Sequence, residues 1–141
     1  MQNYLELPNF TITIKVDSLH MPMNYLKLNE KIYPCGVSLA MDLLGGKWKA
    51  VILYFLKDGE KRYNELRKEI TTITEMTLSL QLKQMEKDGL ISREVHGDKP
   101  PVKVVYRLTD LGKSTIPVLL AVNEWGKQLA KEQGEFLGNL Q

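Results

Sequence analysis

The sequence predicts a mostly α-helical fold with one small β-hairpin, an α+β chain, on three observations. Between residues 36 and 88, apolar positions recur at helical spacing and are interrupted by Gly45-Gly46, Asp58-Gly59 and Asp88-Gly89. Residues 90–108 switch to β-branched runs on either side of a Gly/Pro turn. From Thr109 onward a long helical pattern returns.

The elements follow in order. Phe10, Ile12, Ile14 and Val16 alternate with Thr11, Thr13 and Lys15, the period-2 mark of a half-buried strand, and Pro8 and Pro22 bracket the stretch. It fits a strand paired to an edge elsewhere, a loosely held tail, or a segment upstream of a translation start at Met21 or Met23, and all three stay open at this point. Residues 1–30 are set apart as an N-terminal extension, 31–133 form the main domain and 134–141 a tail. Val37–Leu44 is a short apolar helix that Gly45-Gly46 ends as a left-handed cap. Lys47–Leu56 is a second helix, with Trp48, Val51, Ile52 and Phe55 on one face. Asn64 is the expected N-cap of a third helix through Ile70, with Leu66 and Ile70 inward. Thr74 caps a fourth, which turns Leu78, Leu82 and Met85 to the core. Leu90–Val95 and Val102–Leu108 are strands joined through His96-Gly97-Asp98-Lys99-Pro100-Pro101.

Thr109 is expected to cap one long final helix. Leu111, Thr115, Val118, Val122, Trp125 and Leu129 repeat along it in alternating steps of four and three, a coiled-coil-like seam. Ile116, Leu119 and Leu120 widen the apolar surface beyond what one subunit needs to cover. A homodimer is expected, with Leu39, Val118, Val122, Trp125 and Leu129 as interface residues.

Composition excludes several classes. The 141 residues are the size of one domain, long enough to bury a core, with 43% hydrophobic and 26% charged residues. No apolar run reaches the ~18 residues of a membrane span, and the opening MQNYLELPNF is not a secretory signal, so no membrane partner and a cytoplasmic location are expected. A single cysteine, Cys35, leaves no internal disulfide and no cysteine-rich zinc site. With His20 and His96 the only histidines, no metal site and no cofactor are expected. Gly45-Gly46-Lys47 lacks the leading glycine and the following Ser/Thr of a phosphate loop. Cys35 and His96 offer a thiol–imidazole pair but no orienting group or oxyanion donor, so catalysis is not expected.

Helices two to four, the last two joined by Thr71-Thr72-Ile73, followed by a hairpin, give the order of a winged helix-turn-helix. That architecture suits double-stranded DNA: a helix enters the major groove, where base edges are distinguishable, and the hairpin reaches backbone or minor groove. Charge is distributed accordingly. Residues 31–113 carry 15 Lys/Arg against 11 Asp/Glu, a net +4, while each flank is −1.

From Cys35 to Gly126 the chain resembles the HxlR-type regulators, relatives of the MarR group. The matching pieces, in order, are CGVSLAMDLLGGKWKAVIL, KRYNELRKEI, LSLQLKQMEKDGLISREV, PPVKVVYRLTDLGKSTIPVL and NEWG. The resemblance implies a winged-helix fold, a homodimer held by the first and last helices, and repression or activation at promoters, with the small-molecule effector unidentified.

It also places the recognition helix at about 74–88 and the wing at about 91–108. Thr74, Glu75, Met76, Ser79 and Lys83 become the base-contact candidates, on the outward face with Leu80. Glu75 and Met76 depart from the family pattern, which carries a basic residue just after the cap. Glu75 can accept from a cytosine amine and Met76 can touch a thymine methyl, or Glu75 serves the helix dipole and Met76 packs. Arg62, Arg67, Lys68, Arg93, Lys99 and Lys103 are phosphate candidates, and Arg107 is expected to pair locally. Trp48, Trp125, Tyr63 and Tyr106 are expected as core anchors.

The family uses a cysteine just before the first helix, in some members, to sense oxidants or electrophiles. Cys35 is therefore a redox-sensor candidate, since a helix N-terminus favours the reactive thiolate, and a buried inert cysteine, the commoner fate of a free thiol, is the alternative. A winged helix that binds protein rather than DNA is the alternative function.

Overall fold

The computed structural model describes residues 5–7, 10–12, 25–135 and 137, the first two segments for backbone alone. The chain packs as two units, Met1–Leu43 and Leu44–Gln141.

In the first unit, β1 (Leu5–Leu7) and β2 (Phe10–Ile12) pair antiparallel, with Leu5 opposite Ile12. The strand expected over residues 10–16 is found in its first three residues and has a local partner; positions 13–16 lie outside the described residues. A second hairpin joins β3 (Leu26–Leu28) to β4 (Lys31–Tyr33). Its turn residues Asn29 and Glu30 both have positive φ, 47° and 65°, as a two-residue hairpin turn with right-handed strand twist demands. The helix α1 (Gly36–Leu44) follows. Tyr33 donates its hydroxyl to Asp42 at 2.7 Å and Lys31 reaches the same carboxylate at 3.0 Å, fastening this hairpin to the helix. That hydrogen bond to the Asp42 carboxylate holds the Tyr33 phenol above its ordinary pKa.

The second unit contains α2 (Lys49–Leu56), β5 (Lys61–Arg62), α3 (Tyr63–Glu69), α4 (Glu75–Lys87), β6 (Ile91–His96), β7 (Lys103–Leu108), α5 (Asp110–Ser114) and α6 (Ile116–Gln133). Gly46, at φ 84°, takes the left-handed conformation expected after the first helix. Ile52, Leu53 and Leu56 from α2, Leu66 and Ile70 around α3, and Leu78, Leu82 and Met85 of α4 meet Ile91, Val105, Leu108 and Leu119 in one core. The inward sets expected for α3 and α4 are the ones observed. For α2 the buried face is turned from the expected one: Ile52 is inside, but Trp48, Val51 and Phe55 are half-buried while Leu53 and Leu56 are enclosed. The helix KAVILYFL is apolar almost all round, so spacing alone does not choose its face.

Three further elements differ from expectation. The wing is a three-stranded antiparallel sheet in the order β5-β7-β6, because Lys61 and Arg62 pair with Tyr106 and Val105. That pairing keeps the chain extended through Arg62, so α3 starts at once and Arg62, not Asn64, is the N-cap; the Glu65 carboxylate accepts the Arg62 amide at 2.6 Å.

The final helix is not continuous. It breaks at Thr115, whose buried hydroxyl donates to the Gly112 carbonyl at 2.6 Å, and restarts over Ile116-Pro117, where the missing proline N–H costs nothing in a first turn. Gly112 sits tight at this joint: a Cβ there would lie 2.1 Å from the Leu90 carbonyl oxygen.

Candidate nucleic-acid interface

The turn between α3 and α4 is built from the inside outward. Ile73 is buried, and its amide donates to the Ile70 carbonyl at 3.2 Å, closing the chain on itself. Thr74 is extended, and its hydroxyl oxygen accepts the Thr77 amide at 3.2 Å, supplying one of the donors a helix start leaves free. Arg67 crosses the turn from α3, donating to the Ile73 carbonyl at 2.9 Å and to the Glu75 carboxylate at 3.1 Å.

With Leu78, Leu82 and Met85 inside, α4 presents Glu75, Met76, Leu80 and Lys83 to solvent, and Ser79 half-buried. The structure thereby brings the five nominated base-contact residues onto the first two and a half turns of one helix. They are not equally available. Thr74 is spent on its cap and Glu75 on Arg67, whereas Met76 is 82% exposed and Lys83 has no ion pair among the described residues.

Beside this face a cleft of about 420 Å³ runs between α4 and the sheet, lined by Tyr63, Ser79, Lys83, Glu86, Arg93 and Tyr106. Tyr63 and Tyr106, expected as core anchors, are only half-buried and form its walls. The Tyr63 hydroxyl donates to the Glu75 carbonyl oxygen at 3.0 Å and lies 3.2 Å from the Ser79 hydroxyl. This link between α3 and α4 joins residues sixteen apart, a distance at which no periodicity signals contact.

The cations divide into two sets. Lys49 pairs with Asp88 at 3.3 Å, Lys61 with Glu69 at 2.8 Å, and Arg107 with Glu60 and Glu94 at 2.8 and 2.9 Å, the local pairing expected of it. Arg67 belongs with these and is committed inside the protein. By contrast, the side chains of Arg62, Lys68, Arg93, Lys99 and Lys103 are exposed and have no carboxylate partner among the described residues. Unpaired cations thus remain on the start and end of α3 and along the wing, as a surface for a polyanion requires.

Outside this surface, Cys35 is exposed and directly precedes α1, where its carbonyl accepts the Leu39 amide at 3.3 Å. The alternative of a buried cysteine is not what the structure shows. Leu39 is half-buried. Val118, Val122, Trp125 and Leu129 are all exposed on α6, Trp125 by 69%, so this tryptophan does not anchor the core of a single chain. Leu119, about a quarter turn round the helix from that row, is the residue α6 buries. Among the described residues no group of acidic, histidine and cysteine side chains is arranged to hold a metal ion, and no helix is long and apolar enough to cross a membrane.

Comparison with known proteins agrees with this architecture. The chain is 48% identical over 94 residues to YdeP of Bacillus subtilis, named an uncharacterized HTH-type transcriptional regulator, covering 67% of this chain and 73% of that one. A Methanothermobacter thermautotrophicus protein named in the same way is 46% identical over 106 residues, covering 75% of this chain and 80% of its own length. Among solved structures, the redox regulator HypR in its oxidized form is 42% identical with a TM-score of 0.62, covering 67% of this chain and 96% of HypR. The reduced transcriptional regulator YodB from B. subtilis is 32% identical with a TM-score of 0.58, covering 70% of this chain and 96% of YodB. Residues 43–134 match the family described as HxlR-like helix-turn-helix. On the winged fold, the shared sequence and that match together, the chain is a member of the HxlR-like helix-turn-helix family.

Proposed function

We propose that the protein is a transcription regulator that binds double-stranded DNA sequence-specifically as a homodimer. In this reading α4 enters the major groove and the β6–β7 wing lies on backbone or minor groove. The observation that carries it is the outward α4 face, flanked by cations with no carboxylate partner among the described residues. The names of the similar proteins support the same reading, since YdeP is called an HTH-type transcriptional regulator and YodB a transcriptional regulator. The exposed row Val118, Val122, Trp125 and Leu129 on α6 supplies an apolar surface for a second copy, and Leu39 of α1 is proposed as a further interface residue. A symmetric pair calls for an inverted-repeat operator with half-sites ~10 bp, or a multiple, apart.

Footprinting on the DNA flanking the gene, with the affinity measured across a salt series, tests this. Protection of two half-sites and a steep loss of affinity with salt are expected. Salt-insensitive association with a protein, and no footprint, would instead make the winged helix an interaction module.

A second reading concerns regulation. Cys35 is exposed at the start of α1, and similar structures include oxidized HypR and quinone-bound YodB, the latter 30% identical with a TM-score of 0.55. We propose that Cys35 responds to oxidants or electrophiles and changes operator affinity. Operator titration of wild type and Cys35→Ser, before and after diamide or a quinone, should show a shift in wild type alone. An unchanged wild type whose thiol is shown by mass spectrometry to be modified refutes it.

A further inference from the structure

We infer that Tyr63 fixes the hydrogen-bond polarity of Ser79, so that Ser79 meets DNA only as an acceptor and selects a base carrying an exocyclic amine in the major groove. The inference rests on the reading of α4 as the groove helix and adds to it a specificity rule and the positioning residue that sets it.

A tyrosine hydroxyl has one proton. Two oxygens lie within reach of the Tyr63 hydroxyl, the Glu75 carbonyl at 3.0 Å and the Ser79 hydroxyl at 3.2 Å. The carbonyl can only accept, so the Tyr63 proton goes there; without it the two oxygens would face each other lone pair to lone pair. Tyr63 then has only a lone pair to offer Ser79, and the pairing holds if the Ser79 hydroxyl is the donor. One proton arrangement satisfies both hydrogen bonds.

Ser79 has no competing use for its proton. Within a helix a serine hydroxyl ordinarily bonds the carbonyl four residues back, here that of Glu75. That oxygen already receives the Ser79 amide, by helix geometry, and the Tyr63 hydroxyl, which fills its two lone pairs. No other hydrogen bond of the Ser79 side chain exists among the described residues. What Ser79 has left is acceptor capacity, on a half-buried side chain that lines the cleft beside the outward face of α4.

In the major groove adenine and cytosine present an amine, while guanine and thymine present acceptors at the corresponding edge. A freely rotating serine accommodates either kind. A serine whose proton is held by Tyr63 bonds the amine and opposes the carbonyl. Tyr63 need not touch DNA to do this; it makes an otherwise indifferent serine a discriminating one.

The test starts from the wild-type operator, located by footprinting. At each half-site position the base pair is changed so that an amine becomes a carbonyl, A·T to G·C or C·G to T·A, and Kd is measured for wild type, Tyr63→Phe and Ser79→Ala. At one position per half-site wild type should lose about fivefold in affinity, the size of one net hydrogen bond. Tyr63→Phe, which leaves the Ser79 proton free to turn between the vacated Glu75 carbonyl and a base acceptor, should reduce that discrimination; Ser79→Ala, with no hydroxyl, should abolish it; and both should keep the salt dependence. Replacing adenine by purine, or cytosine by 2-pyrimidinone, then removes the amine alone and tells which base is read.

Circular dichroism melting checks that both variants fold, and alanine, the best helix former, makes Ser79→Ala a safe second arm. Uniform weakening on all sequences by Tyr63→Phe would mean that Tyr63 only braces α4, and overturns the inference. So does a wild type with no amine-selective position that depends on Ser79. In both cases operator binding persists and the groove-helix reading stands; if no duplex is bound specifically, both fall together.

Discussion

Arg67 looks, in the sequence, like one more phosphate-seeking cation beside Lys68. In the structure its guanidinium closes the α3–α4 turn through the Ile73 carbonyl and the Glu75 carboxylate. Its planar fork suits that double duty in a way lysine does not. Arg67→Ala should therefore lower stability by about 1 kcal/mol as well as DNA affinity, whereas Lys68→Ala should lower affinity and leave the urea midpoint unchanged. Equal melting of the two variants would contradict this assignment. Gly112 is a second residue with a purely local demand, because the Leu90 carbonyl occupies the place of its Cβ. Gly112→Ala should destabilise the fold by about 2–3 kcal/mol through overpacking, measured by thermal melting. Neither role is legible from sequence. Arg67 and Glu75 are eight residues apart and Tyr63 and Ser79 sixteen, and each pair meets only because the turn folds α3 back beside α4.

Among the elements, those with one apolar stripe are the readable ones. α4 carries three inward residues at i, i+4 and i+7 in a helix whose remaining positions, Met76 and Leu80 apart, are polar, and both its face and its Thr74 cap are legible. α2, apolar nearly throughout, has no such stripe, and its buried face emerges only from packing. β5 is two residues long, too short for any alternation, so the third strand of the wing is invisible in the sequence. The break at Thr115 is hidden because Thr115 fits the spacing of an unbroken seam while Pro117 lies just where a new helix tolerates proline. The division of labour between wing and helix gives an element-scale prediction. Lys99→Ala or Lys103→Ala should weaken binding to all duplexes alike and reduce the salt slope by about 1 for each phosphate left without its cation. Lys83→Ala should alter preference among operator variants by about 1–3 kcal/mol. Wing variants that change sequence preference while Lys83→Ala does not would show the two surfaces exchanged.

For the whole molecule, α6 faces two ways. Leu119 belongs to the core, while Val118, Val122, Trp125 and Leu129 are left to solvent, more apolar surface than a lone chain gains from showing. Trp125→Ala should shift sedimentation toward monomer at micromolar concentration, and Lys127→Ala, whose ammonium pairs on the surface with Glu124 at 3.1 Å, should not. A wild-type chain that sediments as a monomer sinks the dimer outright.

The interruption at Thr115 matters mechanically once two copies are joined through α6. That helix has 18 residues and so is about 27 Å long. A tilt of about 10° at its first turn sweeps the far end through roughly 5 Å, more than the ~3.4 Å rise of one base pair. In the proposed dimer joined through α6, a change of angle at Thr115 and Ile116 would act through that long arm on the spacing of the two copies.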